Sequence, residues 1–318
     1  MRKLFRALIA LTWVLTSAHA IAQTYPSKPV RVVVTYPPGG SADAIARILA
    51  PQLGEKLGQA FLIDNRPGGG STIGTEMVAR AVPDGYTLLI TGTLSLLPVI
   101  NPKLPYDAVK DFAPITLLVT SPMMIAVNPS LLPVNSIAEL IPLLKSKSGL
   151  AFASGGQGMQ LAGELFKMMT KADMTHVPYK GAGQALTDLA GGQLPIAFTD
   201  LGSSTRFLKS GRIRVLAVAS ATRSANAPEI PTAAESGLPG WEAFGSFGLL
   251  APAGTPVAIV QRLNSEVTAL LRKPDVREHV LATGNEPWPT RPDEYTRFIV
   301  TEIPRWTRVI AEAGLKFE

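Results

Sequence analysis

The sequence predicts an α/β protein with a largely parallel sheet, divided between two lobes. Three observations carry this. Short β-branched runs alternate with helical stretches and Gly/Pro turns along the chain. The length, roughly 295 residues once a leader is removed, exceeds one ordinary domain, and 46% hydrophobic residues suffice for a core without any cysteine. A strand, Gly-rich turn and helix start occurs twice, at 32–41 and 151–157.

The chain opens on a leader. Arg2, Lys3 and Arg6 precede an apolar run from Leu4 to Thr16, followed by small residues through Ala22. That order is expected of a secretory signal peptide over residues 1–22, cleaved after Ala20 or Ala22. The apolar run is shorter than the ~20 residues a membrane helix needs. Export predicts a periplasmic location.

Val30–Thr35 reads as a buried strand. Ser41–Leu57 reads as a helix with Ile45, Ile48, Leu49, Leu53 and Leu57 on one face. Leu62–Asp64 and Tyr86–Thr91 read as further strands, the latter after the turn Pro83-Asp84-Gly85. A second set begins near Met124–Val127. It continues with a helix over Ile137–Lys147, a strand at Leu150–Ala153 and a helix over Met159–Met169. Strands follow at Leu194–Phe198 and Val215–Ala219. Helices then cover Pro256–Leu271, Pro274–Thr283 and Pro292–Ala313, the last expected to kink at Pro304. No long polar linker separates the sets, so strand crossovers are expected to join the lobes.

Composition and motifs exclude several function classes. Lys and Arg total 30 against 24 Asp and Glu; the leader's three basic residues leave 27 against 24, a net charge of +3. No Lys/Arg cluster interleaved with aromatics suggests a nucleic-acid partner. No metal-ligand spacing, nucleophile elbow, Walker loop or complete dinucleotide fingerprint occurs; Ile73 stands where Gly68-x-Gly70 would need its third glycine. No cofactor or metal is expected, and no catalysis. The two Gly-rich turns instead offer free backbone N–H groups at helix starts, suited to an anion, or else simply shape tight strand-to-helix turns.

An ordered set of segments then becomes specific: Tyr25-Pro26-Ser27-Lys28-Pro29-Val30, Pro37-Pro38-Gly39-Gly40-Ser41-Ala42-Asp43, Asp64-Asn65-Arg66-Pro67-Gly68-Gly69-Gly70, Pro83-Asp84-Gly85-Tyr86-Thr87-Leu88, His176-Val177-Pro178-Tyr179-Lys180-Gly181 and Ala251-Pro252-Ala253-Gly254-Thr255-Pro256. From Tyr25 to the last helix the chain resembles Bug-family receptors, the binding proteins of tripartite tricarboxylate transporters. The resemblance implies a type II periplasmic-binding-protein fold with a ligand cleft between two lobes. One lobe is 23–120 plus 245–318; the other is 121–244. It implies a monomeric receptor that takes a small carboxylate (di- or tricarboxylate, acidic amino acid or aromatic acid) and docks on membrane permease subunits. A receptor serving a sensor kinase, and a secreted enzyme on the same fold, are the competing readings.

The resemblance also implies a site. The first loop supplies Tyr36, Pro38, Gly39, Gly40, Ser41 and Asp43, with Thr91 at the same rim; Asp43 has a strong alternative reading as the third residue of the helix, which it caps. Ser154, Gly155, Gly156 and Gln157 form the second loop. Here Gln157 replaces a small hydroxyl residue and Gln160 a histidine of the family pattern. Tyr179 and Lys180 are expected to line the second lobe, Lys180 alternatively being a solvated turn residue. Asp200 either receives a ligand amino group or braces its loop.

Overall fold

The computed structural model describes residues 25–101, 103–208 and 210–315. The expected signal peptide lies outside the described residues. Among the described residues no helix is long and apolar enough to cross a membrane.

The first part of the chain builds β1 (Val30–Val34), α1 (Ser41–Leu57), β2 (Phe61–Asn65), α2 (Thr72–Ala79), β3 (Thr87–Thr91) and the single turn α3 (Leu97–Ile100). β1 lies between β2 and β3, parallel to both. Its valines alternate between faces: Val30, Val32 and Val34 pack with Ile45, Leu49 and Leu53 of α1, while Val33 faces Leu89 and Leu97. Each fully buried Leu or Ile of that face is worth roughly 1.5–3 kcal/mol. α1 ends where Gly58 turns left-handed at φ 74° and donates to the Gly54 carbonyl.

β4 (Phe112–Val127) is the long element, 16 residues or roughly 50 Å of strand. The middle of the chain follows as α4 (Ile137–Ser146), β5 (Leu150–Ser154), α5 (Gln157–Thr170), β6 (Met174–Pro178), α6 (Ala182–Ala190), β7 (Ile196–Asp200), α7 (Leu201–Leu208) and β8 (Arg214–Val218). The chain then returns through β9 (Phe244–Pro252), α8 (Val257–Leu271), α9 (Pro274–Ala282), β10 (Glu286–Pro287) and α10 (Pro292–Glu312).

The strand order is β2-β1-β3-β9-β4-β7-β5-β6, with β8 and β10 also on β4. The outer sets are parallel, as the strand–helix alternation predicts. The centre is not: β9 runs antiparallel to both β3 and β4, and β4 antiparallel to β7 and β8. The sheet is therefore mixed. β4 is the reason, because Phe112–Pro122 pairs with β9 while Met123–Val127 continues into β7 and β8. Register shifts on β4 let it bend along this path. Both halves are thus joined by sheet strands, as the absence of a polar linker predicts.

Helices cover both faces of each half. α10 belongs to both: Tyr295 and Ile299 pack in the first half's core, Trp306 and Val309 in that of the second. It runs through Pro304 as one continuous helix.

Candidate functional site

At the carboxyl end of β1 the chain is pinned by local hydrogen bonds. Thr35 Oγ1 donates to Thr91 Oγ1 at 3.0 Å, and Thr91 Oγ1 lies 3.3 Å from Thr93 Oγ1. The next residue, Tyr36, turns its ring edge-on to Phe247 at 5.5 Å, and its hydroxyl accepts the Gly92 amide at 3.3 Å. Burial pushes the Tyr36 phenol above its ordinary pKa, so it stays a neutral O–H.

Asp43, buried at 2% exposure, holds this loop from below. Its Oδ2 accepts the Gly39 amide at 2.9 Å and Arg47 Nε at 2.8 Å; its Oδ1 accepts Asn65 Nδ2 at 3.0 Å. Asn65 Nδ2 also donates to the Tyr36 carbonyl. The Arg47 hydrogen bond is the largest of the influences that draw the carboxyl down to about 2. Pro38, Gly39, Gly40 and Ser41 are exposed above it. Among the described residues, no acceptor takes the amides of Gly40, Ser41, Ala42 or Asp43.

The second loop is built differently. Ser154 is 2% exposed, and its Oγ lies 2.8 Å from His176 Nε2. Burial, then the Lys167 charge, lowers the His176 pKa and keeps the ring neutral. The pair resembles a nucleophile and base, but so buried a hydroxyl is out of reach of a substrate. Gly155 makes the closest approach: a Cβ there would stand 2.0 Å from the Ala182 nitrogen. Glycine at 155 therefore lets the starts of α5 and α6 touch. Gly156 precedes α5 in extended backbone, and Gln157 is exposed. Among the described residues no acceptor takes the amides of Gln157, Gly158 and Met159.

Tyr179 and Asp200 spend their polar atoms on the helices that follow them. The Tyr179 hydroxyl donates to Asp188 Oδ2 at 2.7 Å, and that bond lifts the phenol to about 12. Asp200 Oδ1 accepts the Ser203 amide and its Oδ2 the Ser203 hydroxyl, which is the bonding of a helix cap on α7. Lys180 is exposed.

A cleft of about 230 Å³ lies where the two halves meet. The first half lines it with Tyr36, Gly92, Thr93, Ser95 and Leu96. The start of α5 gives Gln157, Gly158 and Leu161. Met123 of β4, Ala243 and the first four residues of β9 form its floor. Phe298, Glu302 and Trp306, four residues apart on α10, complete the wall. Of the residues expected from the sequence, Tyr36 and Gln157 line this cleft; Thr91 does not, but its hydroxyl lies 3.3 Å from that of Thr93, which does. The first loop from Pro38 to Asp43, the Ser154–Gly156 turn, Tyr179, Lys180 and Asp200 do not line it.

Sequence reasoning missed the post-β3 segment, although hydroxyls at 93 and 95 directly after a strand were a usable signal. It also missed the α10 residues, whose spacing marks a helix face without saying what that face meets. No Lys, Arg or His lines the cleft among the described side chains. The Glu302 carboxylate accepts Arg305 Nη1 at 3.0 Å and Trp306 Nε1 at 2.8 Å. Among the described residues no group of three His, Cys, Asp or Glu could hold a metal ion. What remains is a binding cleft with helix-start amides and hydroxyls on one part of its wall and aromatic rings on another.

The sequence family described as tripartite tricarboxylate transporter family receptor matches residues 45–315. The chain belongs to that family. Protein BugT of Bordetella pertussis is 37% identical over 308 residues, 95% of this chain and 94% of that protein. A solved R. palustris protein with adipate is 36% identical, covers 92% of this chain and 99% of its own, and superposes with a TM-score of 0.78. MatC from Rhodopseudomonas palustris with bound malate is 33% identical, covering 90% and 100%, with a TM-score of 0.73. The receptor thus has the two-lobed periplasmic-binding-protein fold that the sequence resemblance implies. Its family is one of solute-binding receptors, not a class of enzymes.

Proposed function

We propose that the protein is an exported receptor that captures a small carboxylate between its halves and delivers it to the permease subunits of a tripartite tricarboxylate transporter. Residues 1–22 direct it to the periplasm and are removed; the mature chain works as a monomer and catalyses nothing. The observation that carries this reading is the start of α5: among the described residues no acceptor takes the Gln157 and Gly158 amides, and both residues line the cleft. Such amides, at the positive end of a helix of 14 residues, suit an anion. Tyr36, Thr93, Ser95 and Ser246 line the same space, and their hydroxyls supply neutral donors.

The remaining expected residues act through these. Asp43 and Thr91 fix the segment that carries Tyr36. Ser154, Gly155 and Gly156 set the start of α5, and Asp200 caps α7. Pro38, Gly39, Gly40, Ser41, Tyr179 and Lys180 stand outside the cleft, where ligand closure or permease docking would recruit them. The lobes, 23–120 with 245–318 and 121–244, close by bending β4 and β9, with α10 packed on both. Micromolar affinity requires about −8 kcal/mol, which four or five hydrogen bonds to a charged group at roughly 1.5–3 kcal/mol each supply after the cost of association.

Isothermal titration of the chain from residue 23 against malate, adipate, citrate, glutamate and benzoate tests this, with the uncharged amide of each acid as control. At least one acid should bind saturably and its amide should not. Failure of every acid, or equal binding by the amide, would refute the reading.

A further inference from the structure

The cleft has a composition that selects among carboxylates. Leu96, Met123, Leu161, Phe244, Phe298 and Trp306 supply apolar wall, and among the described side chains no cation lines it. Among the described residues the only carboxylate on the wall is Glu302. One of its oxygens accepts Arg305 Nη1 and the other accepts Trp306 Nε1. The anion-binding groups are neutral: amides of one helix start and a few hydroxyls.

We infer that the ligand is a monocarboxylic acid with a compact apolar body of about one ring, and that Glu302 disfavours a second carboxylate. This rests on the receptor reading above. A buried carboxylate needs a cation or a full set of donors, and an unpaired one is expensive. One end of the cleft's polar groups meets that need through the amides of α5. Beyond the α5 amides and the hydroxyls of Tyr36, Thr93, Ser95 and Ser246, a second carboxylate meets aromatic rings and Glu302, a like charge. An aromatic ring loses nothing there, since it replaces water against Phe298 and Trp306. Size agrees: a cavity of roughly 150 Å³ accepts benzene, and this cleft offers about 230 Å³, room for a ring and its carboxylate. Adipate and malate, bound by two relatives, are both dicarboxylates. The proposal therefore separates this receptor from those two.

The test is isothermal titration of the chain from residue 23 with benzoate and phenylacetate against adipate and malate, at constant salt. Benzoate or phenylacetate should bind at least about tenfold tighter than either dicarboxylate. Tighter binding of adipate or malate overturns the inference and leaves the receptor reading standing. Absence of binding by all four, together with citrate and glutamate, overturns both. Glu302→Gln removes the negative charge while keeping an acceptor for Trp306. It should move the adipate-to-benzoate affinity ratio about tenfold toward adipate. An unchanged ratio in a variant with wild-type melting contradicts the role given to Glu302.

Discussion

The Gly39 amide donates to Asp43 Oδ2 across 2.9 Å, closing the first glycine turn onto the helix that follows it. Four residues of chain are thereby folded back on one buried carboxylate, which Arg47 and Asn65 also hold. The turn that carries Tyr36 is set before any ligand arrives.

Removing that carboxylate has a definite cost. Asp43→Ala leaves the Gly39 N–H without its acceptor and the Asn65 amide group with the Tyr36 carbonyl alone, and should cost about 1–3 kcal/mol in urea unfolding.

The same carboxylate gives stability a pH dependence. Its folded pKa lies near 2, below the ordinary value, mainly through the Arg47 bond. A depressed acid contributes stability that is present above the unfolded pKa and lost as pH falls through the folded value. Wild type should therefore lose more stability than Asp43→Asn between about pH 5 and about pH 2.5. Parallel losses in the two proteins would contradict this.

Gly155 and Gly156 should separate cleanly. A methyl group at 155 would collide with the Ala182 backbone, whereas one at 156 meets nothing within 4 Å. Gly155→Ala should destabilise by about 1–3 kcal/mol or more, and Gly156→Ala by less than about 0.5 kcal/mol. Thermal melts of the two variants decide it.

Trp306 gives the cleft an optical reporter. It lines the space, whereas Trp241 is fully buried elsewhere in the core. Tryptophan emission should change saturably with an acid that binds, and Trp306→Phe should remove most of that change. A full response in the variant would place the ligand away from α10.

Much of the architecture was legible because local signals agreed. In α1 the apolar spacing of Ile45, Leu49 and Leu53 and the Gly58 stop point to one helix, and it forms. β4 was not legible as one strand. Pro114 and Pro122 interrupt its pattern, and only pairing with β9 on one stretch and β7 on the next makes it continuous. β9 itself, Phe-Gly-Ser-Phe-Gly at its start, has too much glycine to read as strand and forms through its neighbours.

The candidate site divides in the same way. Tyr36 and Gln157 were visible because each stands at a strand-to-helix turn, a local feature. Asp43 and Asp200 have chemistry written into their spacing, since a carboxylate near a helix start finds backbone donors nearby. Phe298, Glu302 and Trp306 were invisible as cleft residues. Their place there depends on how α10 crosses both halves, a long-range outcome that helical periodicity does not encode.

The most direct measurement is a crystal structure of the protein with a saturating carboxylate. Carboxylate oxygens are expected within hydrogen-bonding distance of the Gln157 or Gly158 amide, with Tyr36, Thr93, Ser95 or Ser246 as partners and the ligand body against Phe298 and Trp306. A carboxylate seated on the exposed Gly40 and Ser41 amides, with no ligand atom in the cleft, would contradict it.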